Sequence, residues 1–450
     1  MKKLFSSFAK IVFAGLVLGY SIFAINKSCR NDFRSFYNTG SLILTATDIY
    51  RSSQTDDGFF YSPPVALLMV PLSLLPQKAA AALWYLGNLL GLLILLAVAG
   101  YLLEDTETRA AGWRWLKERW KGSEKRDLKI LWILTLLLTA RFWLNNFEMG
   151  QINLALWSLT AISVYLAKTG RPVAGGAFLG LAITIKVLPI LFLFYFFIKR
   201  NFRLVGSALL ALPISFLLPS LFLGWEQNLN LLAAWYNKVI GPAAFQGAVD
   251  TSDMNQSLPA LLHRFLSFAP TSQKTGHTVT LMELDPLLLD ILVWAVSITG
   301  LGLLAFYARP PIRNAPGGMR PAAGFKENLE ISLVFLSAVL LSPQAWKAYF
   351  VASLVPYAAA VYALLKMENG WFRRAGIFLI GLSFALHTLT ADGIWGWEIA
   401  RLLQAYSCVT FSILCLYLFL LLLLIRVTNG SAFFLNIQSA EKPKNFPVRG

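Results

Sequence analysis

The sequence predicts an all-α polytopic membrane protein. It reads as one integral domain over residues 1–450, with about 12 transmembrane helices and two large outer loops. Three observations carry this. First, 57% of the 450 residues are hydrophobic and only 14% charged, where a soluble chain carries about a quarter charged residues. Second, apolar runs recur along the chain, many near the ~20 residues a bilayer span requires. They are continuous, unlike the alternating ~10-residue segments of an outer-membrane barrel, and a backbone in lipid must satisfy its own hydrogen bonds, which selects helices. Third, the net charge of +16 collects in short segments between apolar runs. That is how Lys and Arg distribute in cytoplasmic loops. No basic patch lies in a soluble domain, so nucleic acid is not an expected partner.

The elements follow in order. MKKLFSSFAK and the apolar run after it imitate a signal peptide, but INKSCRNDF offers no good cleavage site, so residues 8–25 are read as a retained first helix leaving the cytoplasm. The next long run is 80–103. Between them, 61-YSPPVALLMVPLSLLP-76 is short and studded with prolines. The loop 104–127 holds seven Lys and Arg and is expected inside. One crossing must therefore link residues 26 and 104, so the YSPP segment is interfacial or re-entrant and residues 26–79 form the first outer loop. Helices over 128–144 and 151–167 flank a tight outer turn at NNFEMGQ. Residues 174–200 are bounded by basic residues at both ends, which predicts two short helices meeting near Lys186-Val187-Leu188-Pro189. A helix over 203–223 leads to the second outer loop, 224–285. Helices over 286–306, 329–343, 349–366, 372–390 and 402–425 bring the tail 426–450 inside. No internal repeat is evident. Cys29, Cys408 and Cys415 have no metal or redox spacing.

Four polar clusters fall on the expected outer side: Asp32 and its neighbours, the FEMGQIN turn, Lys186, and 253-DMNQSLPALLHRF-265. Ionisable groups at membrane depth are costly and mark function. The segments 32-DFRSFYNTG-40, 48-DIY-50, 59-FFYSPPVALLMVPLSLLP-76, 149-MGQINLALWSL-159, 175-GGAFLGLAITIKVLPIL-191, 255-NQSL-258 and 342-SPQAWKAY-349 together resemble the ordered landmarks of glycosyltransferase family 87. This is a family of GT-C membrane enzymes that use polyprenyl-phosphate sugars. The resemblance spans roughly residues 30–360. Lys347 and Ala348 stand where the family commonly has a basic or His pair. The resemblance implies a GT-C-like helix bundle in the inner (cytoplasmic) membrane with its active site on the outer, periplasmic side. It implies a polyprenyl-phosphate-hexose donor, most often mannose, a lipid or glycan acceptor and no cofactor.

It also implies that Asp32 is the general base. The chemistry agrees: an inverting transfer needs one carboxylate to take the acceptor's proton, and the polyprenyl phosphate leaves as a stable anion without an acid. Lys186 either holds the donor phosphate or snorkels; Pro189 breaks the helix beside it and exposes backbone N–H groups that favour an anion. Arg264 is a second candidate for phosphate or sugar, and His263 is read as a surface or packing residue. Gln151 and Asn153 either contact sugar hydroxyls or cap the turn. Asp48, with Tyr50 nearby, either caps a turn or holds the acceptor, and Asp56-Asp57-Gly58 reads as a turn. Asn255 and Gln256 are acceptor candidates. Tyr61 belongs to an aromatic group (Phe59, Phe60, Tyr61, Trp84, Tyr85) that is by default a membrane belt and lines a sugar site as the alternative. No DxD pair, Gly-rich phosphate loop or metal-ligand set is present, so neither a metal nor ATP is expected. A transporter or flippase of a lipid-linked sugar is the competing class; it predicts midplane charges and a repeat.

Overall fold

The computed structural model describes residues 2–45, 49–50, 59–103, 124–242, 249–268, 271, 278–309 and 321–429. Asp48, Asp56-Asp57-Gly58, most of the basic loop 104–127, the basic stretch 310–320 and the tail from 430 lie outside the described residues.

Every regular element among the described residues is helical. The chain runs α1 (Lys2–Ser28), α2 (Asp32–Leu42), a 3-10 turn (Ile43–Thr45), α3 (Pro63–Ser73), α4 (Gln77–Leu103), α5 (Glu124–Met149), α6 (Asn153–Lys168), α7 (Pro172–Ile185), α8 (Ile190–Ile198) and α9 (Phe202–Leu217). It continues through α10 (Ser220–Leu223), α11 (Trp225–Trp235), α12 (Leu258–Leu266), α13 (Pro286–Ala308), α14 (Pro321–Leu340), a 3-10 helix (Lys347–Ser353), α15 (Leu354–Lys366), α16 (Trp371–Thr388), α17 (Asp392–Trp395), α18 (Trp397–Ala405) and α19 (Cys408–Thr428). Five segments among the described residues are long and apolar enough to cross a membrane: Gln77–Leu103, Phe202–Leu223, Pro286–Ala308, Lys347–Lys366 and Cys408–Thr428. This is a multi-pass membrane protein.

Residues 174–200 form two helices, α7 and α8, that meet at Lys186–Pro189. The YSPP segment is the 11-residue α3, about 16 Å long at 1.5 Å per residue, about half a hydrocarbon core. α14 also starts earlier than the expected 329–343, and three further boundary differences bear on the site. α5 continues through Asn145 and Asn146 to Met149, and the turn narrows to Gly150, which adopts φ +68°. The helix expected over 402–425 begins at Cys408, because Ser407 sits in the left-handed region at φ 59° and closes α18 separately. The segment after Trp346 opens as a 3-10 helix before α15.

α15 is covered on nearly all sides by the bundle, whereas α13 leaves Leu287, Trp294 and Ile298 bare, as a lipid-facing helix does. α7 and α9 approach most closely. A Cβ on Gly176 would lie 2.2 Å from the Leu204 carbonyl oxygen, and one on Gly180 2.6 Å from the Ala211 Cβ. This is small-xxx-small packing, which lets backbones touch in a membrane. Gly176→Ala is therefore expected to cost about 1–3 kcal/mol of overpacking. A lowered thermal midpoint in detergent, with Gly206→Ala unchanged because that site faces open space, checks this. At the ends of α6 and α8 away from the α6–α5 turn, Lys168 pairs with Glu327 at 2.7 Å and Lys199 with the buried Glu330 at 2.5 Å, which also accepts from Tyr195 Oη at 3.2 Å. That clasp pins three helices and leaves the opposite end to the polar groups below.

Candidate functional site

Asp32 is the first residue of α2. A carboxylate there is favoured by the helix dipole. α2 places it by burying Phe33, Phe36, Thr39 and Gly40 on one face, the three-to-four spacing of an amphipathic helix. Gly40 lies directly on α3, where a Cβ would meet the Met69 carbonyl oxygen at 2.6 Å.

The turn after α5 rests on the start of α2. A Cβ on Gly150 would fall 2.5 Å from Phe33 Cβ, so only glycine provides both the positive φ and the approach. The turn is further held by Trp84 Nε1 donating to the Gly150 carbonyl at 2.8 Å and by Asn146 Nδ2 donating to the Gln151 carbonyl at 3.1 Å. Lys27 pairs with Glu148 at 2.7 Å, tying the end of α1 to it. Gln151 is then the hub. Its Nε2 donates to Asp32 Oδ2, and its Oε1 accepts from Tyr61 Oη at 3.1 Å and from Asn153 Nδ2 at 3.3 Å.

Lys186 completes the cluster from α7. It ends that helix in an extended conformation, φ −158° and ψ 139°, and the preceding turn is stitched to the YSPP segment by Ser62 Oγ donating to the Thr184 carbonyl at 2.5 Å. Lys186 Nζ lies 3.2 Å from the Tyr349 ring centroid and 5.4 Å from that of Tyr61. Such a contact is worth about 2 kcal/mol when desolvated. The ammonium is covered yet donates no hydrogen bond among the described residues. Tyr349 is set by the 3-10 helix, and Trp157 Nε1 donates to its carbonyl at 3.1 Å. Asp32, Tyr61, Gln151, Lys186 and Tyr349 thus converge from five separate segments.

With this arrangement in place, comparison with known proteins is decisive on one point: the profile of glycosyltransferase family 87 matches residues 59–323. The chain belongs to glycosyltransferase family 87. It is 30% identical over 175 residues to a polyprenol-phosphate-mannose-dependent alpha-(1-2)-phosphatidylinositol mannoside mannosyltransferase of Mycobacterium tuberculosis (strain ATCC 25618 / H37Rv), covering 38% of each chain. It is 22% identical over 346 residues to the protein of the same description from Mycolicibacterium smegmatis (strain ATCC 700084 / mc(2)155), covering 76% of this chain and 69% of that one. The first match thus spans well under half of that relative's length. The structure of ArnT from Cupriavidus metallidurans bound to undecaprenyl phosphate aligns with a TM-score of 0.40 and 16% identity, over 93% of this chain and 77% of that one.

In this family 87 chain a second polar group forms apart from the first. Asn255, Gln256 and Arg264 are fully buried. Arg264 donates from Nη1 to the Ser252 and Asn255 carbonyls at 2.8 and 2.6 Å, and from Nη2 to Ser407 Oγ at 2.6 Å. Burial lowers its guanidinium to about 10, partly offset by Asp253 and Asp250, so it stays charged at neutral pH. Asn255 Nδ2 donates to the Asp250 and Pro343 carbonyls, both at 2.8 Å, and its Oδ1 accepts from Ala345 N at 2.8 Å. Gln256 Nε2 donates to the Asp253 and Gln404 carbonyls at 2.7 and 2.8 Å. These bonds fasten the NQSL loop to the SPQAW segment. Tyr50 is buried, its Oη donating to the Tyr61 carbonyl at 2.8 Å, while its own carbonyl accepts from Lys238 Nζ. His263 lies 3.8 Å from Asp290.

Sequence reasoning does not single out Tyr349, although it lies in the SPQAWKAY segment. Its signal is an aromatic following that segment's basic residue, legible only once Lys186 is known to face it. Trp346 Nε1 is also buried and makes no hydrogen bond among the described residues.

Proposed function

We propose that the chain is a glycosyltransferase with a GT-C-like bundle of about 12 transmembrane helices, its site facing the outer side of the inner membrane. It moves a hexose, mannose by analogy with its relatives, from a polyprenyl-phosphate donor to a hydroxyl of a lipid or glycan acceptor. The observation that carries this reading is the chain of contacts that joins the carboxylate of Asp32, through Gln151 and Tyr61, to Lys186, whose Nζ makes no hydrogen bond among the described residues.

The acceptor oxygen attacks the anomeric carbon from the face opposite the phosphate, which inverts that centre. Its proton passes to Asp32. The bond between the anomeric carbon and the phosphate oxygen breaks, and its electron pair leaves with the polyprenyl phosphate. Lys186 stabilises the charge that develops on that oxygen, within a covered site where such stabilisation is strong. Gln151 orients Asp32, and Tyr61 and Asn153 fix Gln151, so these three position rather than react. Asp48 is proposed as an acceptor contact from the same outer loop.

We assign Arg264, Asn255, Gln256 and Tyr50 to holding that site rather than to touching substrate, since Arg264 Nη1 and Nη2, Asn255 Nδ2, Gln256 Nε2 and Tyr50 Oη already serve protein carbonyls and Ser407. Arg264→Met is accordingly expected to lower stability by about 1–3 kcal/mol for each buried acceptor left unpaired, with donor affinity unchanged in the fraction that remains folded. A donor dissociation constant that rises as much as in a Lys186 variant would return Arg264 to the phosphate.

The activity is tested with purified protein in detergent, labelled polyprenyl-phosphate mannose and a lipid acceptor. A labelled acceptor product is expected. Its absence in detergent, together with movement of the lipid-linked sugar across a proteoliposome, would establish a flippase instead.

A further inference from the structure

Two distant segments, 220-SLFLGWE-226 and 392-DGIWGWE-398, fold alike. Each opens with a single helical turn, α10 or α17, closed by a glycine N–H on the oxygen four residues back: Gly224 to Ser220 at 3.0 Å and Gly396 to Asp392 at 2.9 Å. Each glycine takes nearly the same conformation, φ +84°, ψ 161° and φ +81°, ψ 170°, which side chains rarely adopt. Each is followed by Trp-Glu and a helix, α11 or α18, whose fourth residue is fully buried, Asn228 and Ala400. The shared letters are few, so the repeat is not evident in the sequence, but the backbone makes the same corner twice.

Both corners expose the same chemistry. Leu221, Phe222 and Trp225 are 79, 67 and 60% exposed, and Ile394, Trp395 and Trp397 are 49, 51 and 44% exposed. Glu226 and Glu398 are exposed beside them. The first corner directly continues the apolar segment Phe202–Leu223, and the second lies between α16 and the apolar α19. Each also leans on one part of the site. From the first, Trp235 Nε1 donates to the Phe60 carbonyl at 3.4 Å, and Leu231 packs with Phe36, Tyr50 and Phe59. From the second, the Gln404 carbonyl accepts from Gln256, whose N–H bonds the Ala345 carbonyl at 2.7 Å, and Arg401 pairs with Asp253 at 2.8 Å.

We infer that the two Gly-Trp-Glu corners are paired anchors in the lipid headgroup layer at the site end of the bundle, where they hold the Asp32–Lys186 cluster at a fixed depth. Indole rings with an apolar body and a polar N–H settle at that boundary. The apolar face of each corner is continuous with a bilayer-facing helix, and the glutamates remain in water. Each corner is tied to residues at the site end of the bundle, the end that a single lipid surface would have to meet. This inference rests on the membrane reading alone and is independent of the proposed activity.

The test uses the full chain in lipid nanodiscs, with Cys29, Cys408 and Cys415 changed to Ala. Single cysteines replace Trp225 or Trp397 and carry an environment-sensitive fluorophore. Phosphatidylcholines bearing a nitroxide at the headgroup, at carbon 5 or at carbon 12 act as quenchers. Both labels are expected to be quenched at least about threefold more by the shallow nitroxides than by the deep one, as for side chains buried ~5–10 Å into the interface. A label at Ile298, on bare α13, should show the reverse order. Phe222→Cys and Ile394→Cys repeat the measurement if a Trp variant fails to fold. A corner left unquenched by every lipid, or quenched most at carbon 12, overturns the inference.

Discussion

Asp32→Asn is expected to reduce turnover by ~10²–10⁴, the usual worth of a general base, while leaving donor affinity near wild type. The substitution keeps the shape of the side chain and a partner for Gln151 Nε2, so the turn at Gly150 and the start of α2 should stay in place. Only the ability to accept a proton is lost. Single-turnover assays with saturating donor and acceptor separate this from a binding defect. Near-normal turnover would remove Asp32 from the chemistry and leave it as the acidic first residue of α2.

Lys186→Met should behave in the opposite way. Hydrogen bonds to charged groups are worth ~1.5–3 kcal/mol, so donor affinity is expected to fall by roughly 10- to 100-fold. Folding should stay close to wild type, because the covered ammonium makes no hydrogen bond among the described residues that Met would forfeit, and the cation–ring contact it gives up is offset by removal of a buried charge and by the Met sulfur resting against the same ring. Tyr349 and Tyr61 attract the cation through their ring faces without neutralising it. Among the described residues, an incoming phosphate therefore has no hydrogen-bonded ion pair at Lys186 Nζ to displace. Calorimetry with the polyprenyl-phosphate donor, beside a thermal melt of the same sample, reads both expectations. An unchanged dissociation constant in a well-folded variant would reduce Lys186 to a packing residue.

The helical architecture was legible because lipid leaves the backbone few choices and because apolar runs of known length are bounded by Lys and Arg. The hairpin at Lys186 was legible for the same reason, with Pro189 marking the break. The gathering of Asp32, Tyr61, Gln151 and Lys186 was partly legible: each is polar or aromatic next to an apolar run, and charge counting assigned them one side. Arg264, Asn255 and Gln256 were harder. A polar side chain in a loop reads equally well as a ligand for substrate or as a fastener, and the difference lies in carbonyls at Ser252, Pro343 and Gln404 that only the folded chain brings near. α17 and α18 were missed because Asp392, Glu398 and Arg401 interrupt the apolar pattern, and because the left-handed Ser407 that separates α18 from α19 has no strong letter signature.

The contact between Lys186 and Tyr349 has a consequence for biogenesis. The lysine precedes its aromatic cover by about 160 residues, which at ~5–20 residues per second is roughly 8–30 s of translation. An ammonium at bilayer depth costs ~2.5–3.5 kcal/mol on insertion scales, and during that interval Lys186 lacks the Tyr349 ring. Asp32 and Tyr61 are already synthesised by then and are the groups that can attend it. Until the 3-10 helix is synthesised, only the preceding part of the chain can face Lys186, and its Tyr349 cover is added afterwards.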